Sequence, residues 1–465
     1  MTYLKISQES IDTVTSIPVI DLAYTMGEKL VRKGKQFQVA CPDPNHSENV
    51  SDNAYIDPTR NIFKCFSCGC GGNNAIAYFA IKTFGSYEPK KHFIQSVKGI
   101  AELMGITLKM EDGSFIGDAS SDYKPKKFVP QKELEPQSPQ ELDMVYRSFL
   151  GLCPVREHHL ADWRNVRRFS DEQINLLGLR SVPSKDEWVN IYIQLANAGI
   201  SLERVPGFSQ VFVPSFYETP FPEALGEKGT IKSEKGSNVD GAWFYTPAAH
   251  NGYFIPVRDE NGYIIRLRIR KDEGEPKYIW FSSEHNIDIE TNMVRKRKNG
   301  VSSGGPLNIA VPFNLLQNWK MGDNITSICK MDTIIATEGE FKSNISANVF
   351  GVPVIGLPGA GNFKELLPLL KKWGVKKLII AYDMDTLQKD NDSLKAQKKQ
   401  ENLFTLVKNF SLEVMQTGVT TCLWTWGISD GKGLDDLVYN RKLPAEINLN
   451  TGGKRPVTFA NIREY

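Results

Sequence analysis

The stretches IIATEG at residues 334–339 and LIIAYDMD at residues 378–385 decide the fold of this chain. Both are short hydrophobic runs that end in acidic residues. Runs of this length and composition are typical of strands buried on both faces, as in a parallel sheet. Functional residues in such sheets lie at the carboxyl ends of the strands. The sequence therefore predicts that Glu338, Asp383 and Asp385 meet at one edge of a sheet.

The segment between the two stretches supports a parallel sheet. Residues 349–357 predict another strand, and residues 363–373 have the apolar spacing of a helix. Strands that alternate with helices imply crossover connections, which favour parallel pairing. A third acidic element, GKGLDD at residues 431–436, adds Asp435 and Asp436.

This order of acidic motifs resembles the TOPRIM domain, which primases, topoisomerases and some nucleases share. The resemblance implies that Glu338 is a catalytic acid–base or metal-polarising carboxylate. It implies that Asp383 and Asp385 are a catalytic, metal-binding pair. Hard cations such as Mg²⁺ or Mn²⁺ prefer oxygen ligands, and the predicted ligands are Glu338, Asp383, Asp385, Asp435 and Asp436. Acidic residues can also simply cap strand ends, but three such motifs in this order favour the metal site.

One residue departs from the family pattern. DnaG-type primases usually carry an aspartate three positions after the glycine of the first motif, and this chain has Lys342 there. A lysine can contact a phosphate as a point charge, so Lys342 is a candidate nucleotide-binding residue.

A second group of motifs lies near the N-terminus, with CPDPNH at residues 41–46 and CFSCGC at residues 65–70. Three cysteines and a histidine in two pairs are typical of a structural zinc site, and this spacing disfavours ordinary buried cysteines. The predicted ligands of one structural Zn²⁺ are Cys41, His46, Cys65 and Cys68. Cys70 is either a spare thiol or a replacement for Cys68.

The flanks of this motif, GKQFQVACP at residues 34–42 and FKCFSCG at residues 63–69, resemble the zinc ribbon of bacterial and phage DnaG-type primases. The gap between Cys41 and His46 is longer than in that family. Residues 93–108 have helical apolar spacing and resemble the helix that closes the ribbon.

The composition limits the classes of protein that fit. A length of 465 residues predicts several domains, and an apolar share of 41% is sufficient for their cores. A net charge of +2 excludes a global polycation, so any nucleic-acid surface must be local. Seven cysteines, four of them predicted zinc ligands, favour a reducing compartment over a disulfide scaffold. Because no signal-peptide or membrane-spanning run is present, we expect a cytoplasmic protein without a membrane partner.

The predicted fold class is multidomain, with α+β and α/β parts. Residues 111–140, rich in Gly, Ser, Lys and Pro, predict a flexible linker. The predicted segments are a zinc-ribbon domain at 1–110, the linker, a basic mixed α+β core subdomain at 141–330, a TOPRIM parallel-sheet α/β domain at 331–450 and a tail at 451–465.

The middle segment contains two local signals. Residues 160–179 predict a helix pair, with Ser170 as N-cap of the second helix. Residues 253–270 predict a hairpin around Asn261-Gly262, a strong turn dipeptide.

The second strand of this hairpin carries a row of basic residues. Arg266, Arg268 and Arg270 alternate with apolar residues and therefore project from one face, with Lys277 and Tyr278 following shortly after. Arginines beside an aromatic ring suit a single-stranded nucleic-acid backbone with stacked bases, although a solvated sheet face gives the same pattern.

Residues from about 10 to 440 follow the order of the DnaG-type primases: zinc ribbon, basic core, TOPRIM. The resemblance implies DNA- or nucleotide-binding roles for Arg167, Arg266, Arg268, Lys277, Tyr278 and Lys342. Arg168 stands where the family usually has a glycine. Because the chain stops soon after Asp436, we expect a shortened member of mobile-element or phage type.

The implied function is that of a DNA primase, which synthesises short RNA primers on single-stranded DNA by two-metal nucleotidyl transfer. The expected partners are a single-stranded DNA template and nucleoside triphosphates, with a replicative helicase or single-strand binding protein as further candidates. One alternative is a TOPRIM nuclease, which would cleave DNA without nucleoside triphosphates. Another is a non-catalytic single-strand binding protein, whose binding would not depend on magnesium.

Overall fold

The division of the chain follows its linker-like segment. The computed structural model describes residues 5–33, 35–44, 46, 54–66, 68–116, 134–233, 236–283, 297–359, 361–384, 394–460 and 462. The chain separates into two units, Met1–Lys132 and Glu133–Tyr465, and the division falls within the predicted linker at 111–140. Residues 111–116 belong to a hairpin of the first unit, and a helix of the second unit begins at Pro139.

The N-terminal unit is built on a five-stranded antiparallel sheet with the order β1-β2-β3-β4-β5. Its strands are Val31–Lys33 (β1), Gln36–Val39 (β2), Ala54–Asp57 (β3), Ile62–Cys65 (β4) and Gly71–Gly72 (β5). Its helices are Gln8–Thr15 (α1), Val19–Thr25 (α2), Ala75–Phe84 (α3) and Pro89–Met104 (α4). A hairpin of Leu108–Lys109 (β6) and Phe115–Ile116 (β7) ends the described part of the unit.

The core of this unit forms where the sheet packs on the helices. Phe63 of β4 meets Tyr78 of α3 edge-on, with ring centroids 5.0 Å apart, and both residues are buried. Helix α4 accounts for most of the predicted helix at 93–108. Its C-cap is Gly105, whose φ of +65° is a left-handed conformation that favours glycine, and the last predicted residue, Leu108, belongs to β6 instead.

The C-terminal unit begins with helices and two four-stranded sheets. The helices are Pro139–Leu152 (α5), Glu157–Ala161 (α6), Asp171–Leu177 (α7) and Lys185–Asn197 (α8), with a π-helical turn at Asp162–Val166 and a 3₁₀ turn at Glu223–Leu225. The strands are Arg180–Ser181 (β8), Phe208–Pro214 (β9), Glu227–Lys232 (β10), Asn238–Pro247 (β11), Gly252–Arg258 (β12), Ile264–Lys271 (β13), Tyr278–Trp280 (β14) and Arg297–Lys298 (β15). The sheet orders are β14-β13-β12-β8 and β10-β11-β9-β15.

The structure confirms the helix pair and the hairpin. The Ser170 hydroxyl accepts a hydrogen bond from the backbone N–H of Gln173, which caps α7. Strands β12 and β13 pair antiparallel, and the turn between them includes Gly262 with a φ of +76°. The π-helical turn between α6 and α7 was not anticipated from the sequence.

The rest of the unit is a seven-stranded sheet with the order β16-β18-β17-β19-β20-β21-β22. Its strands are Asn308–Ala310 (β16), Thr333–Glu338 (β17), Val354–Leu357 (β18), Lys377–Ile380 (β19), Thr420–Thr425 (β20), Ala445–Asn448 (β21) and Lys454–Pro456 (β22). The central strands β18, β17, β19 and β20 are parallel, and β16, β21 and β22 add antiparallel edges. The accompanying helices are Phe313–Leu316 (α9), Ile325–Ile328 (α10), Glu340–Phe350 (α11), Leu366–Lys372 (α12), Leu394–Gln416 (α13) and Leu434–Tyr439 (α14), with a 3₁₀ turn at Ile428–Asp430.

The predicted parallel sheet is present, but the start of one predicted strand was wrong. The predicted strand at 349–357 begins too early, because α11 continues to Phe350 and ends at Gly351, whose φ is +68°. The sheet also extends beyond the predicted segment 331–450, since β16 precedes that segment and β22 follows it.

A shared core joins this sheet to the middle of the chain. Trp163 of the π-helical turn, Tyr253 of β12 and Phe341 of α11 belong to one buried cluster with residues of the seven-stranded sheet. The carboxyl ends of the parallel strands are therefore held close to the basic hairpin. None of the described helices combines the length and apolarity needed to cross a membrane.

Candidate functional site

Of the three acidic residues predicted at strand ends, Glu338 and Asp383 lie at the carboxyl edge of two neighbouring parallel strands. Glu338 is the last residue of β17, and Asp383 follows the end of β19 by three residues. Gly339 makes the sharp turn from β17 into α11 with a φ of +83°, and its N–H donates to the carbonyl of Leu357 at 2.9 Å. Asp385 lies outside the described residues.

The third acidic element is tied to the same edge by the backbone. The N–H of Met384 donates to the carbonyl of Lys432 at 2.9 Å, which brings the glycine-rich loop beside Asp383. Helix α14 then places Asp435 in a buried position. Asp436 is exposed, and its carboxylate accepts a hydrogen bond from the N–H of Gly433 at 3.1 Å, so it caps its own helix.

Gly433 is packed tightly among these groups. A Cβ atom at this position would lie 2.6 Å from Oδ1 of Asp435, 2.8 Å from Cε of Lys342 and 3.3 Å from Oδ1 of Asp383. Contacts this short are not tolerated without movement of the neighbouring atoms. The site therefore requires glycine for space, because the backbone φ of −102° would accept any residue.

Lys342 forms the most direct ion pair of the site. Its Nζ lies 2.5 Å from Oδ1 and 2.6 Å from Oδ2 of Asp383, so that one ammonium engages both carboxylate oxygens. Burial by itself would lower the pKa of Lys342, but Asp383, and to a smaller extent Asp435 and Glu338, raise it overall. Lys342 is therefore charged at neutral pH.

Arg167 approaches the acidic edge from the helix pair. Its Nη1 lies 3.5 Å from Oδ2 of Asp435, its Nη2 donates to the hydroxyl of Tyr278 at 3.1 Å, and its guanidinium stacks on the ring of Phe341 at 4.9 Å. Burial raises the pKa of Asp435, and the nearby cations Lys342 and Arg167 partly offset this effect.

Helix α14 is also held to the helix pair by hydrogen bonds and ring stacking. The hydroxyl of Tyr439 donates a short hydrogen bond to the carbonyl of Arg167. The Arg168 guanidinium stacks on the same ring at 4.7 Å and donates to the Tyr439 carbonyl at 3.3 Å. Arg168 has a left-handed φ of +55°, which gives a physical reason why a glycine would suit this position.

The arginines of β13 contact residues of neighbouring elements instead of projecting freely into solvent. Arg268 stacks on Trp280 at 4.5 Å and lies 3.8 Å from the Glu340 carboxylate, while Arg270 lies 3.9 Å from that of Asp162. Arg266 is turned into the protein, where its Nε donates to the carbonyl of Ser303 at 2.6 Å. Burial lowers the pKa of Arg266.

These groups line a cleft made of two adjoining cavities of about 190 and 410 Å³. The two cavities share four lining residues, Arg167, Tyr278, Lys342 and Asp435. The first also contains Arg268, Glu338 and Glu340, and the second contains Arg270, Lys277, Asp383, Lys432 and Asp436. Arg266 does not line either cavity. The cleft thus has two sides of opposite charge. The acidic edge consists of the carboxylates, and the basic wall consists of Arg167, Arg268, Arg270 and Lys277.

Three charged lining residues, Arg270, Glu340 and Lys432, were not among the sequence candidates, although Arg270 belongs to the predicted arginine row. Glu340 is buried next to Arg268, and burial raises its pKa. Lys432 lies in the loop before α14. Lys432 stands beside the predicted acidic pair in the sequence and could have been selected by that proximity, whereas the pairing of Glu340 with the distant β13 leaves no local signal.

The described carboxylates of the cleft differ in how far their oxygens are already engaged by other groups. Oδ1 of Asp435 is buried and has no hydrogen-bond partner among the described residues, so it offers an open oxygen ligand. Both oxygens of Asp383, in contrast, are engaged by Lys342. Within the described residues, no three carboxylates of this edge bring their oxygens within 4.8 Å of one another.

The N-terminal unit brings the four predicted zinc ligands together. The ligand atoms of Cys41, His46, Cys65 and Cys68 all lie within 4.8 Å of one another. The sulfurs of Cys41 and Cys68 are 3.5 Å apart, and Nδ1 of His46 is 3.7 Å from the sulfur of Cys65. Ligands around a tetrahedral zinc ion are separated by about 3–4 Å, so the set fits a structural Zn²⁺.

Cys70 lies next to this group without belonging to it. Its sulfur is 3.5 Å from that of Cys41, and burial raises the pKa of Cys70 to about 12. Its carbonyl accepts a hydrogen bond from the N–H of Cys65 at 2.8 Å, and the turn includes Gly69 with a φ of +80°. Cys70 therefore shapes the loop that presents Cys65 and Cys68.

Comparison with known proteins gives results consistent with this geometry. Residues 6–115 match the family model of the CHC2 zinc finger. Over 392 residues the chain is 24% identical to a DNA primase of Clostridium acetobutylicum, which corresponds to 83% of this chain and 52% of the primase. The chain therefore spans about half the length of that curated relative.

Solved primase structures are also similar to the chain. A structure of the Aquifex aeolicus primase with zinc-binding and RNA polymerase domains aligns with 92% of this chain and 82% of its own, at 16% identity and a TM-score of 0.40. The RNA polymerase domain of Mycobacterium tuberculosis primase DnaG aligns with 65% of this chain and 80% of its own, at 14% identity and a TM-score of 0.38. The family match and the curated relative confirm the similarity to DnaG-type primases that the motifs predict.

Proposed function

We propose that this chain is a DNA primase that synthesises short RNA primers on single-stranded DNA. The observation that carries the proposal is the cleft, in which Glu338, Asp383 and Asp435 face Arg167, Arg268 and Arg270. Carboxylates opposite a basic wall suit nucleotidyl transfer, because the substrates are anionic and the 3′-hydroxyl attacks the α-phosphorus of the triphosphate while pyrophosphate leaves. Similarity to a bacterial DNA primase supports this assignment.

The basic wall positions the anionic substrates. Arg268 and Arg270 lie at the strand that faces the cleft, and the exposed Lys277 extends the wall outward. These side chains would bind the template backbone and the triphosphate, since phosphate contacts set register and orientation. Arg167 is held by Tyr278 and Phe341 and would direct its guanidinium at a phosphate oxygen. Arg266 would support the hairpin rather than touch DNA.

The acidic edge would carry out the reaction itself. Glu338 would take up the proton that leaves the attacking 3′-hydroxyl, and Glu338 and Asp435 would hold Mg²⁺ or Mn²⁺. When bound, that cation lowers the pKa of the attacking hydroxyl and stabilises the leaving pyrophosphate. Asp383 and Asp385 remain the predicted acidic pair of the TOPRIM motif, with Asp383 held by Lys342.

The remaining predictions form part of the same proposal. The zinc ribbon would help to select the template, residues 141–330 would be the basic subdomain, and residues 331–450 would be the TOPRIM domain. Single-stranded DNA and nucleoside triphosphates would be the direct partners, with a replicative helicase or single-strand binding protein acting alongside. The protein would act in the cytoplasm.

Incubation of the full chain with circular single-stranded DNA, labelled nucleoside triphosphates and Mg²⁺ tests the function. Short labelled products that require the template would support a primase. Shortened DNA without new strands, also in the absence of nucleoside triphosphates, would favour the nuclease. Intact DNA bound equally well with and without Mg²⁺, and without synthesis, would favour a non-catalytic binding protein.

A further inference from the structure

Lys342 occupies the place where a cation is expected. Its Nζ contacts both oxygens of Asp383 at 2.5 and 2.6 Å, and the two side chains are 24% and 11% exposed. The two-metal scheme implied by the sequence motifs assigns a divalent cation to this aspartate. In the structure the aspartate already has a positive partner supplied by the chain.

The ammonium is held in position by its surroundings. Cε of Lys342 lies so close to Gly433 that a Cβ atom there would be only 2.8 Å away. The loop with Gly433 is fixed in turn by the hydrogen bond between Met384 and Lys432. Lys342 therefore cannot leave Asp383 in this direction unless the loop before α14 moves.

The other carboxylates of the cleft are arranged differently. Asp435 has a buried oxygen without a hydrogen bond among the described residues, and Glu338 lines the same cavity. Asp436 is exposed and caps its own helix. The described groups thus leave ligands for one divalent cation beside Asp435, while Asp383 is neutralised separately.

We propose that Lys342 is a built-in monovalent counter-ion that replaces one of the two divalent cations, so that the cleft binds one divalent cation instead of two. Lys342 acts through Asp383 and is a positioning residue. Its role in primer synthesis rests on the proposed function, but the number of cations bound does not. The substitution Lys342→Asp changes the charge of the cleft by two units, which equals the charge of one divalent cation.

Counting bound Mn²⁺ tests this proposal directly. The full zinc-loaded chain is titrated with Mn²⁺, and free Mn²⁺ is measured by electron paramagnetic resonance. We expect the Lys342→Asp variant to bind one more Mn²⁺ per chain than the wild type. Lys342→Arg keeps the charge and can engage both carboxylate oxygens, so it should bind the wild-type number. Lys320→Asp changes an exposed lysine in the same way and serves as the matched control.

Equal numbers of Mn²⁺ in the wild type and Lys342→Asp would overturn the proposal, because removal of Lys342 would then open no further cation site. A wild type that binds two ions in the cleft would overturn it as well. Circular dichroism checks that the variants fold, and Lys342→Met, which frees Asp383 without adding a carboxylate, is the second variant and should also gain an ion. If the variants gain the ion but the wild type makes no primers, the proposed function fails and this inference stands.

Discussion

The guanidinium of Arg167 lies 3.5 Å from the carboxylate of Asp435, although 268 residues separate the two in the sequence. This contact joins the helix pair of the middle segment to the helix that follows the last parallel strand. Arg167 also donates to the hydroxyl of Tyr278, which follows Lys277 in the lining of the cleft. One side chain thus links the acidic edge to the elements that would bind nucleic acid.

Replacement of Arg167 by lysine should lower primer synthesis by about tenfold or more, since misplacing a positioning group by 1 Å has effects of this order. Lysine keeps the charge but loses the planar fork that reaches Asp435 and Tyr278 together, and it loses the stacking on Phe341. Initial rates on single-stranded DNA measure the effect. Arg164→Lys, an exposed arginine paired with Asp171, is the control and should keep full activity. Equal rates for both variants would contradict the role of Arg167.

The substitution Gly433→Ala should also reduce activity by about tenfold or more, because the added methyl group would push Lys342 and Asp435 apart. Gly151→Ala is the matched control, since nothing lies within 4 Å of a Cβ atom at that position of α5. Alanine there should stabilise the helix by about 0.5–1 kcal/mol. Rates and urea unfolding are measured for both variants. An active Gly433→Ala enzyme would show that the packing around Lys342 is not required.

The zinc content of two variants should show whether Cys68 or Cys70 is the fourth zinc ligand. The Cys68→Ser variant should lose zinc, because it removes one of four ligands from the set that the structure brings together. The Cys70→Ser variant should keep one zinc ion per chain. Inductively coupled plasma mass spectrometry of the purified variants measures the ratio. Zinc loss from Cys70→Ser with retention in Cys68→Ser would assign the fourth ligand to Cys70 instead.

The free energy of unfolding should depend on pH through Asp259, which lies at the hairpin turn. Burial raises the pKa of Asp259 from 3.8 to about 6. A raised carboxyl pKa means that the folded chain binds the proton more tightly, so this group's contribution to stability is complete below pH 3.8 and is lost as the pH rises through about 6. The uncharged variant Asp259→Asn should therefore be more stable than the wild type by about 1–2 kcal/mol near neutral pH, after solvent screening.

Urea unfolding followed by tryptophan fluorescence measures this difference, because all eight tryptophans lie in the C-terminal unit. The gain of Asp259→Asn over the wild type should be present at about pH 8 and absent at about pH 4. Asp323→Asn, at an exposed position, is the control. A gain of the same size at both pH values would mean that the effect is not due to titration of Asp259.

Local patterns in the sequence predicted much of the acidic edge. The hydrophobic runs before Glu338 and Asp383 are parallel strands in the structure, and parallel strands place their carboxyl ends together. The spacing of cysteines and histidine likewise predicted a group that the structure assembles. In these cases the signal is contained within a few neighbouring residues.

The contacts across the cleft could not be predicted in the same way. The pair of Lys342 and Asp383 depends on the adjacency of β17 and β19, which places residues 41 positions apart side by side. The alternation of Arg266 and Arg268 correctly indicated a shared strand face. Alternation does not reveal what covers that face, so it could not distinguish Arg268, which lines the cleft, from Arg266, which bonds to the Ser303 carbonyl.

The most direct test of the central claim is template-dependent ribonucleotide incorporation by Glu338→Gln compared with Glu365→Gln. Glu338 ends β17 inside the cleft, whereas Glu365 is an exposed glutamate just before α12. The two substitutions are chemically identical, and both variants are assayed on the same single-stranded template. If the cleft is the catalytic centre, Glu338→Gln should lose about 100-fold or more in rate while Glu365→Gln keeps the wild-type rate. Equal incorporation by both variants would contradict the placement of catalysis at the acidic edge.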